Sequence, residues 1–163
     1  MSEQEIKTLF NPRFMKEAIR LSSESVDHGG GPFGAIVVHG DEIIARGNNR
    51  VTKLNDPTAH AEVVAIRNAC EELGNFQLED CIIYTSCEPC PMCLGAIYWA
   101  RPKVVFYANT KHDAARIGFD DQFIYDEIDM QPHGRSIPMI KMMGEEAVKV
   151  FNSWNEMGDK DMY

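Results

Sequence analysis

The sequence predicts an α/β protein, a three-layer α/β/α sandwich with a mixed central sheet of about five strands, and three observations lead there. Short β-rich apolar runs alternate with stretches of helical length and period. Turn residues such as Gly40-Asp41 and Gly74 separate them. A chain of 163 residues with 44% hydrophobic side chains can build one compact core but is short for two ordinary domains. Residues 1–163 are therefore expected to form a single domain.

Residues 12–27 carry Phe14, Ala18, Ile19, Leu21 and Val26 at an imperfect helical spacing, and His28-Gly29-Gly30-Gly31 stops the helix. Residues 33–38 and 42–46 read as two strands joined by a tight turn at Gly40-Asp41. The segment 48–58 is polar and predicted to be a loop. Residues 60–73 form a helix, with Val63, Val64, Ile66, Ala69 and Cys70 on overlapping faces, Asp56-Pro57-Thr58 before it and Gly74 after it. Residues 81–85 make a short strand that runs into a cysteine cluster, and 91–100 can form a helix that opens on Pro91. Residues 104–108 are another buried strand, 137–142 supply a last strand, and 145–157 a last helix. The charged tail 158–163 finishes on an aromatic residue, Tyr163, and no internal repeat, low-complexity segment or linker interrupts the pattern.

The first eleven residues are polar and lack the basic start and apolar run of a signal peptide, and no stretch approaches the length of a membrane span. A cytoplasmic protein with no membrane partner is expected. The five cysteines are odd in number, with three between Cys87 and Cys93, which fits metal-bound thiolates in a reducing compartment better than disulfides. Cys70 and Cys81 read as small apolar residues. The net charge of −9, from 25 acidic and 16 basic side chains without a basic run, disfavours binding to a phosphate backbone and favours a small-molecule substrate.

Two clusters carry the chemistry: His60-Ala61-Glu62 and Pro89-Cys90-Pro91-Met92-Cys93. Cys90 and Cys93, spaced i, i+3 at a helix start, present both sulfurs on one side, where free N–H groups and the helix dipole favour thiolate. His60 completes a three-ligand set. Three protein ligands leave one position for water, the catalytic arrangement, whereas four close the site as a structural one. Cys87 leaves that choice open: as a fourth ligand it would make the site structural, and otherwise it packs or donates weakly to the thiolates. A redox Cys-x-x-Cys or a zinc knuckle explains the cysteines but not His60 and Glu62. His28, His39, His112 and His133 lack such a setting. Glu62 can be a first-turn carboxylate favoured by the helix dipole or a proton carrier beside the metal. Residues i and i+2 of one helix do not share a face, so His60 and Glu62 meet only if the first turn opens onto the site.

His-x-Glu followed by Pro-Cys-x-x-Cys is a described signature of zinc-dependent base deaminases, and on it the chain resembles the cytidine-deaminase superfamily. Four runs, Gly30-Gly31-Pro32-Phe33-Gly34-Ala35, Asn55 through Glu62, Thr85 through Trp99, and Gly118-Phe119-Asp120-Asp121, are similar to the bacterial guanine deaminases. The first three also resemble tRNA adenosine deaminases; the fourth and the C-terminal Tyr point to the guanine branch. The resemblance implies a cytidine-deaminase-like fold, Zn2+ on His60, Cys90 and Cys93, Glu62 as the catalytic proton carrier, and substrate contacts from Asn49 or its neighbour Asn48, Phe33, Trp99, Asp121 and Tyr163. It further implies a homodimer in which residues 149–163 act as a lid that can be swapped onto the partner's site. Phe33 and Trp99 also fit a plain core role, and Asp120 and Asp121 a solvated loop pair. The expected activity is hydrolytic deamination of guanine to xanthine and ammonia. The rivals are a tRNA adenosine deaminase, a cytosine, nucleoside or aminotriazine deaminase, and a non-enzymatic zinc-stabilised interaction module.

Overall fold

The computed structural model describes residues 1–162. In chain order its elements are α1 (Glu3–Thr8), α2 (Pro12–Asp27), β1 (Gly34–His39), β2 (Glu42–Asn48), α3 (Val51–Leu54), α4 (Ala61–Leu73), β3 (Cys81–Cys87), α5 (Pro91–Ala100), β4 (Val104–Asn109), α6 (Lys111–Arg116), α7 (Gln122–Asp129), a 3-10 turn (Pro132–Gly134) and α8 (Gly144–Glu156). They fall into two compact units, Met1–Asp121 and the segment from Gln122 onward.

The first unit holds a four-stranded sheet in the order β2-β1-β3-β4. β1 pairs antiparallel with both β2 and β3, and β3 pairs parallel with β4, so the sheet is mixed. The parallel pair needs a crossover, and α5 supplies it. Side chains on a strand alternate between faces, which gives β1 two separate cores. Ile36 and Val38 pack with Phe14, Met15, Ala18 and Leu21 of α2 and with Tyr84 of β3. Ala35 and Val37 pack on the opposite face with Ala61, Ala65, Ile66 and Ala69 of α4, Ile83 of β3 and Ile97 of α5. α2 therefore covers one face and α4 with α5 the other, the three-layer sandwich expected. Tyr84 is fully buried yet satisfied: its hydroxyl donates to the Leu9 carbonyl at 3.2 Å and accepts from the Asn11 amide at 3.1 Å.

Two glycines bring the helices unusually close. A Cβ on Gly47 of β2 would overlap the Ala61 carbonyl oxygen and lie 2.6 Å from the Ala65 amide, and a Cβ on Gly34 of β1 would overlap the Ala18 carbonyl oxygen of α2. Gly34 pairs with Asn48, and Ala35 with Gly47. Both backbone-to-backbone contacts thus sit at one end of the sheet, one on each face.

Three expectations are corrected. The sheet has four strands, because residues 137–142 form no strand: Pro138 removes a ladder donor, and Ile137, Met139, Ile140 and Met142 are exposed. The expected loop 48–58 begins as the last residue of β2 and contains the short helix α3, closed by Asn55 in the left-handed region at φ 51°. The short helices α1, α6 and α7 were not read from the sequence. Capping boxes at Ser2 and Thr110 start the first two, a local hydrogen-bond pattern in segments too short to show an apolar period. In the second unit neither α7 nor α8 buries a residue.

Gly47→Ala should therefore destabilise the protein by about 1–3 kcal/mol, the usual cost of overpacking. Gly95→Ala, which adds a Cβ to the interior of α5 with nothing within 4 Å, should instead stabilise by up to about 1 kcal/mol through helix propensity. Urea melts of the two variants check both signs; equal stability of Gly47→Ala and the parent would show that the β2–α4 contact yields.

Candidate metal and proton-transfer site

His60 and Cys90 occupy equivalent positions. Each is the residue just before a helix, His60 before α4 and Cys90 before α5, each has extended backbone (ψ 156° and 167°), and neither side chain caps its own helix. Pro91 in the first turn of α5 donates no N–H where none is needed. Freed from capping, the His60 ring turns to the cysteines: its Nδ1 lies 3.6 Å from the Cys90 sulfur and 3.5 Å from that of Cys93. One donor atom from each of the three residues lies within 4.8 Å of the others, and among the described residues this is the one such group of His, Cys, Asp or Glu. Because His60 lies outside the helix, the rule that i and i+2 face apart does not apply to it and Glu62.

The charges within this group make it suited to a cation. The Cys90 thiol is pulled down to about 4, chiefly by the hydrogen bond from Cys93 and then by His60. Cys93 is pushed far up by its bond to Cys90, by burial and by the Glu62 carboxylate. The His60 ring is raised, first by the bond to Cys90. Two neighbouring sulfurs and a buried carboxylate cannot all be anionic without a positive partner, and a divalent ion on one imidazole and two thiolates supplies it. Soft sulfur with nitrogen is a donor set that zinc accepts.

Glu62, in the first turn of α4, is 5% exposed. Its Oε2 accepts from the Cys93 thiol at 3.5 Å, and its Oε1 from the Thr85 hydroxyl at 3.2 Å. Burial raises its pKa above the usual carboxylate range, offset in part by its own backbone amide. Such a carboxyl takes up and releases protons nearer neutrality than an exposed one.

The other expected residues divide. Phe33 is half-buried and meets Phe119 edge-on, ring centroids 5.0 Å apart. Asn49 borders the same loop: a Cβ on Gly31 would lie 3.3 Å from its Cγ and 3.2 Å from the Phe33 ring. Its Oδ1 accepts from the Val51 amide, whereas the Asn48 amide oxygen accepts from the exposed Arg50 guanidinium. The Asp121 carboxyl is raised by burial, with the Cys90 charge adding and Lys111 opposing. Trp99 is not brought there. It is 64% exposed and about 13 Å along α5 from Cys90 at 1.5 Å per residue, and its exposure also excludes a core role. Cys87 stands apart from the cluster: it is buried, its thiol is pushed up to about 11 by burial, and it donates to the Thr110 carbonyl at 3.7 Å, not to the thiolates. Tyr163 lies outside the described residues. Sequence reasoning missed Thr85, whose signal was a hydroxyl on an apolar strand just ahead of the cysteines, and Phe119, visible as the aromatic inside Gly-Phe-Asp-Asp.

The family model of the cytidine and deoxycytidylate deaminase zinc-binding region matches residues 10–109, which hold every member of this cluster. The chain belongs to this deaminase family. Within the family it is 58% identical to the guanine deaminase of Bacillus subtilis over 151 residues, 92% of this chain and 97% of that protein. A crystal structure of guanine deaminase from Bacillus subtilis superposes with a TM-score of 0.91 at 56% identity, covering 94% of this chain and 99% of that one. The tRNA-specific adenosine deaminase of Aquifex aeolicus is 44% identical over 60% of this chain and 66% of its own length. An alignment over 92% of the chain necessarily takes in most of residues 122–163, beyond the region that defines the deaminase family. No helix among the described residues is long and apolar enough to cross a membrane.

Replacing Cys93 by Ser should abolish tight binding of a divalent metal, read by elemental analysis of the purified protein, while Cys87→Ser should keep one ion per chain. Equal loss in the two variants would make Cys87 a fourth ligand and the site structural.

Proposed function

We propose that this deaminase hydrolyses guanine to xanthine and ammonia, with Zn2+ on His60, Cys90 and Cys93 and with Glu62 as the proton carrier. The observation that carries this reading is a buried carboxylate, Glu62, that touches the metal-binding group without belonging to it; a purely structural zinc site has no use for one. The choice of guanine is supported by the near full-length similarity to the Bacillus subtilis guanine deaminase. It is also supported by the net charge of −9, which disfavours an RNA substrate.

When bound, zinc would lower the pKa of a coordinated water toward neutrality. The residues of the chain do the rest. Glu62 takes one proton from the attacking water and delivers it to the ring nitrogen beside the amino-bearing carbon as the new C–O bond forms. The same carboxyl then carries the second proton to the amine as the C–N bond breaks, so that ammonia leaves and the carbonyl of xanthine remains. Phe33 offers an aromatic face to the flat base, Asn49 an amide, and the half-buried Asp121 an acceptor for the N–H groups of guanine. Adenine and cytosine present a different donor and acceptor pattern. We also propose that the working protein is a cytoplasmic homodimer.

Glu62→Gln should keep its metal and fold while losing roughly 10²-fold or more in kcat, the range for a positioned acid–base group; near-normal turnover would overturn the mechanism. Ammonia release from a panel of bases and nucleosides should show guanine preferred over adenine and cytosine, and activity on cytosine alone would overturn the substrate.

A further inference from the structure

Glu62 has a second buried neighbour, the hydroxyl of Thr85. The last three residues of β3 use the alternation of a strand to send their side chains to three different partners. Thr85 meets Glu62, the Ser86 hydroxyl on the opposite face accepts from the Gly34 amide at 3.0 Å, and Cys87 turns back to the Thr110 carbonyl. The strand is held on both edges here, since Thr85 pairs with Ala35 of β1 and with Tyr107 of β4. Thr85 is 1% exposed and β-branched, so its hydroxyl has little freedom to turn elsewhere.

The two oxygens of Glu62 are therefore unlike. Oε1 accepts from Thr85, and Oε2 faces the Cys93 sulfur. We infer that Thr85 is a positioning residue that fixes Glu62 through Oε1 and leaves Oε2 as the oxygen that carries the proton. The inference rests on the deaminase reading given above. The terminal torsion of a glutamate is broad and nearly two-fold, so without a donor on Oε1 the carboxyl would swivel and the proton would be presented in many directions. With Oε1 held, one oxygen both collects and delivers it, on the side where the metal-binding group lies.

The test compares Thr85→Ser with Thr85→Ala, a pair that differs only in the hydroxyl, with Thr85→Val as the variant closest in shape. Ser should retain kcat within a fewfold of the parent. Ala and Val should lower kcat by about 10- to 100-fold, the order expected when a catalytic group is misplaced, with the KM for guanine and the metal content nearly unchanged and the fold retained at a somewhat lower thermal midpoint, since a buried acceptor loses its donor. In the Glu62→Gln background Thr85→Ala should cost almost nothing more, because residues that act through one another are not additive. Equal kcat in the Ser and Ala variants would overturn the inference, as would a rise in KM at constant kcat, loss of metal from Ala and Val, or a full further loss on top of Glu62→Gln. An inactive parent that binds metal would instead overturn the guanine reading itself, so the two failures are distinguishable.

Discussion

Everything in the candidate site depends on the meeting of two helix starts. His60 and Cys90 each stand one residue ahead of a helix, and α4 and α5 share one face of the sheet. At a helix start the backbone N–H groups are unpaired and the dipole is positive, which favours an anion, and the Cys90 thiol is lowered, chiefly by the hydrogen bond from the Cys93 side chain and in part by the Cys93 backbone amide. The extended backbone of both residues is the second half of the arrangement. It releases their side chains from the helical surface, so that an imidazole from one segment and a sulfur from the other come within 3.6 Å.

Among the described residues the buried polar side chains are Ser25, Glu62, Thr85 and Ser86, and two of the four, Glu62 and Thr85, belong to the candidate site. A buried carboxylate is costly unless donors meet it. Here a strand hydroxyl, a backbone amide and a sulfur do so. Half of the four buried polar side chains therefore belong to the candidate site.

Much of this was legible in the sequence because it rests on local periods. The alternation of 33–38 and the helical spacing of 60–73 reflect burial on defined faces, and the candidate metal ligands were legible because ligand chemistry restricts both residue type and spacing. What was not legible depends on contacts distant in sequence or on hydrogen bonds of single residues. Residues 137–142 have the composition of a strand, but nothing local shows that they remain exposed, and no local pattern shows that Trp99 is 64% exposed at the other end of α5 from Cys90. Thr85 shows in the sequence only as a hydroxyl on an apolar strand; its partner is 23 positions away, and no spacing rule links them. The sequence reading starts the helix at His60 and so requires its first turn to open onto the site; the structure meets that demand by leaving His60 one residue outside the helix in extended backbone.

The glycines at positions 34 and 47 divide the sheet into two regimes of evolutionary freedom. Toward the opposite end, Val38 and Ile82 meet α2 through side chains, and a methyl lost by one can be regained by its neighbour. At the glycine end the contact is backbone on backbone, with no side-chain volume to trade. Neutral drift is therefore expected to collect in the aliphatic layers away from Gly34 and Gly47. The spacing of α2 and α4 from the sheet, and with it the position of His60 one residue before α4, stays fixed while the rest of the core changes composition.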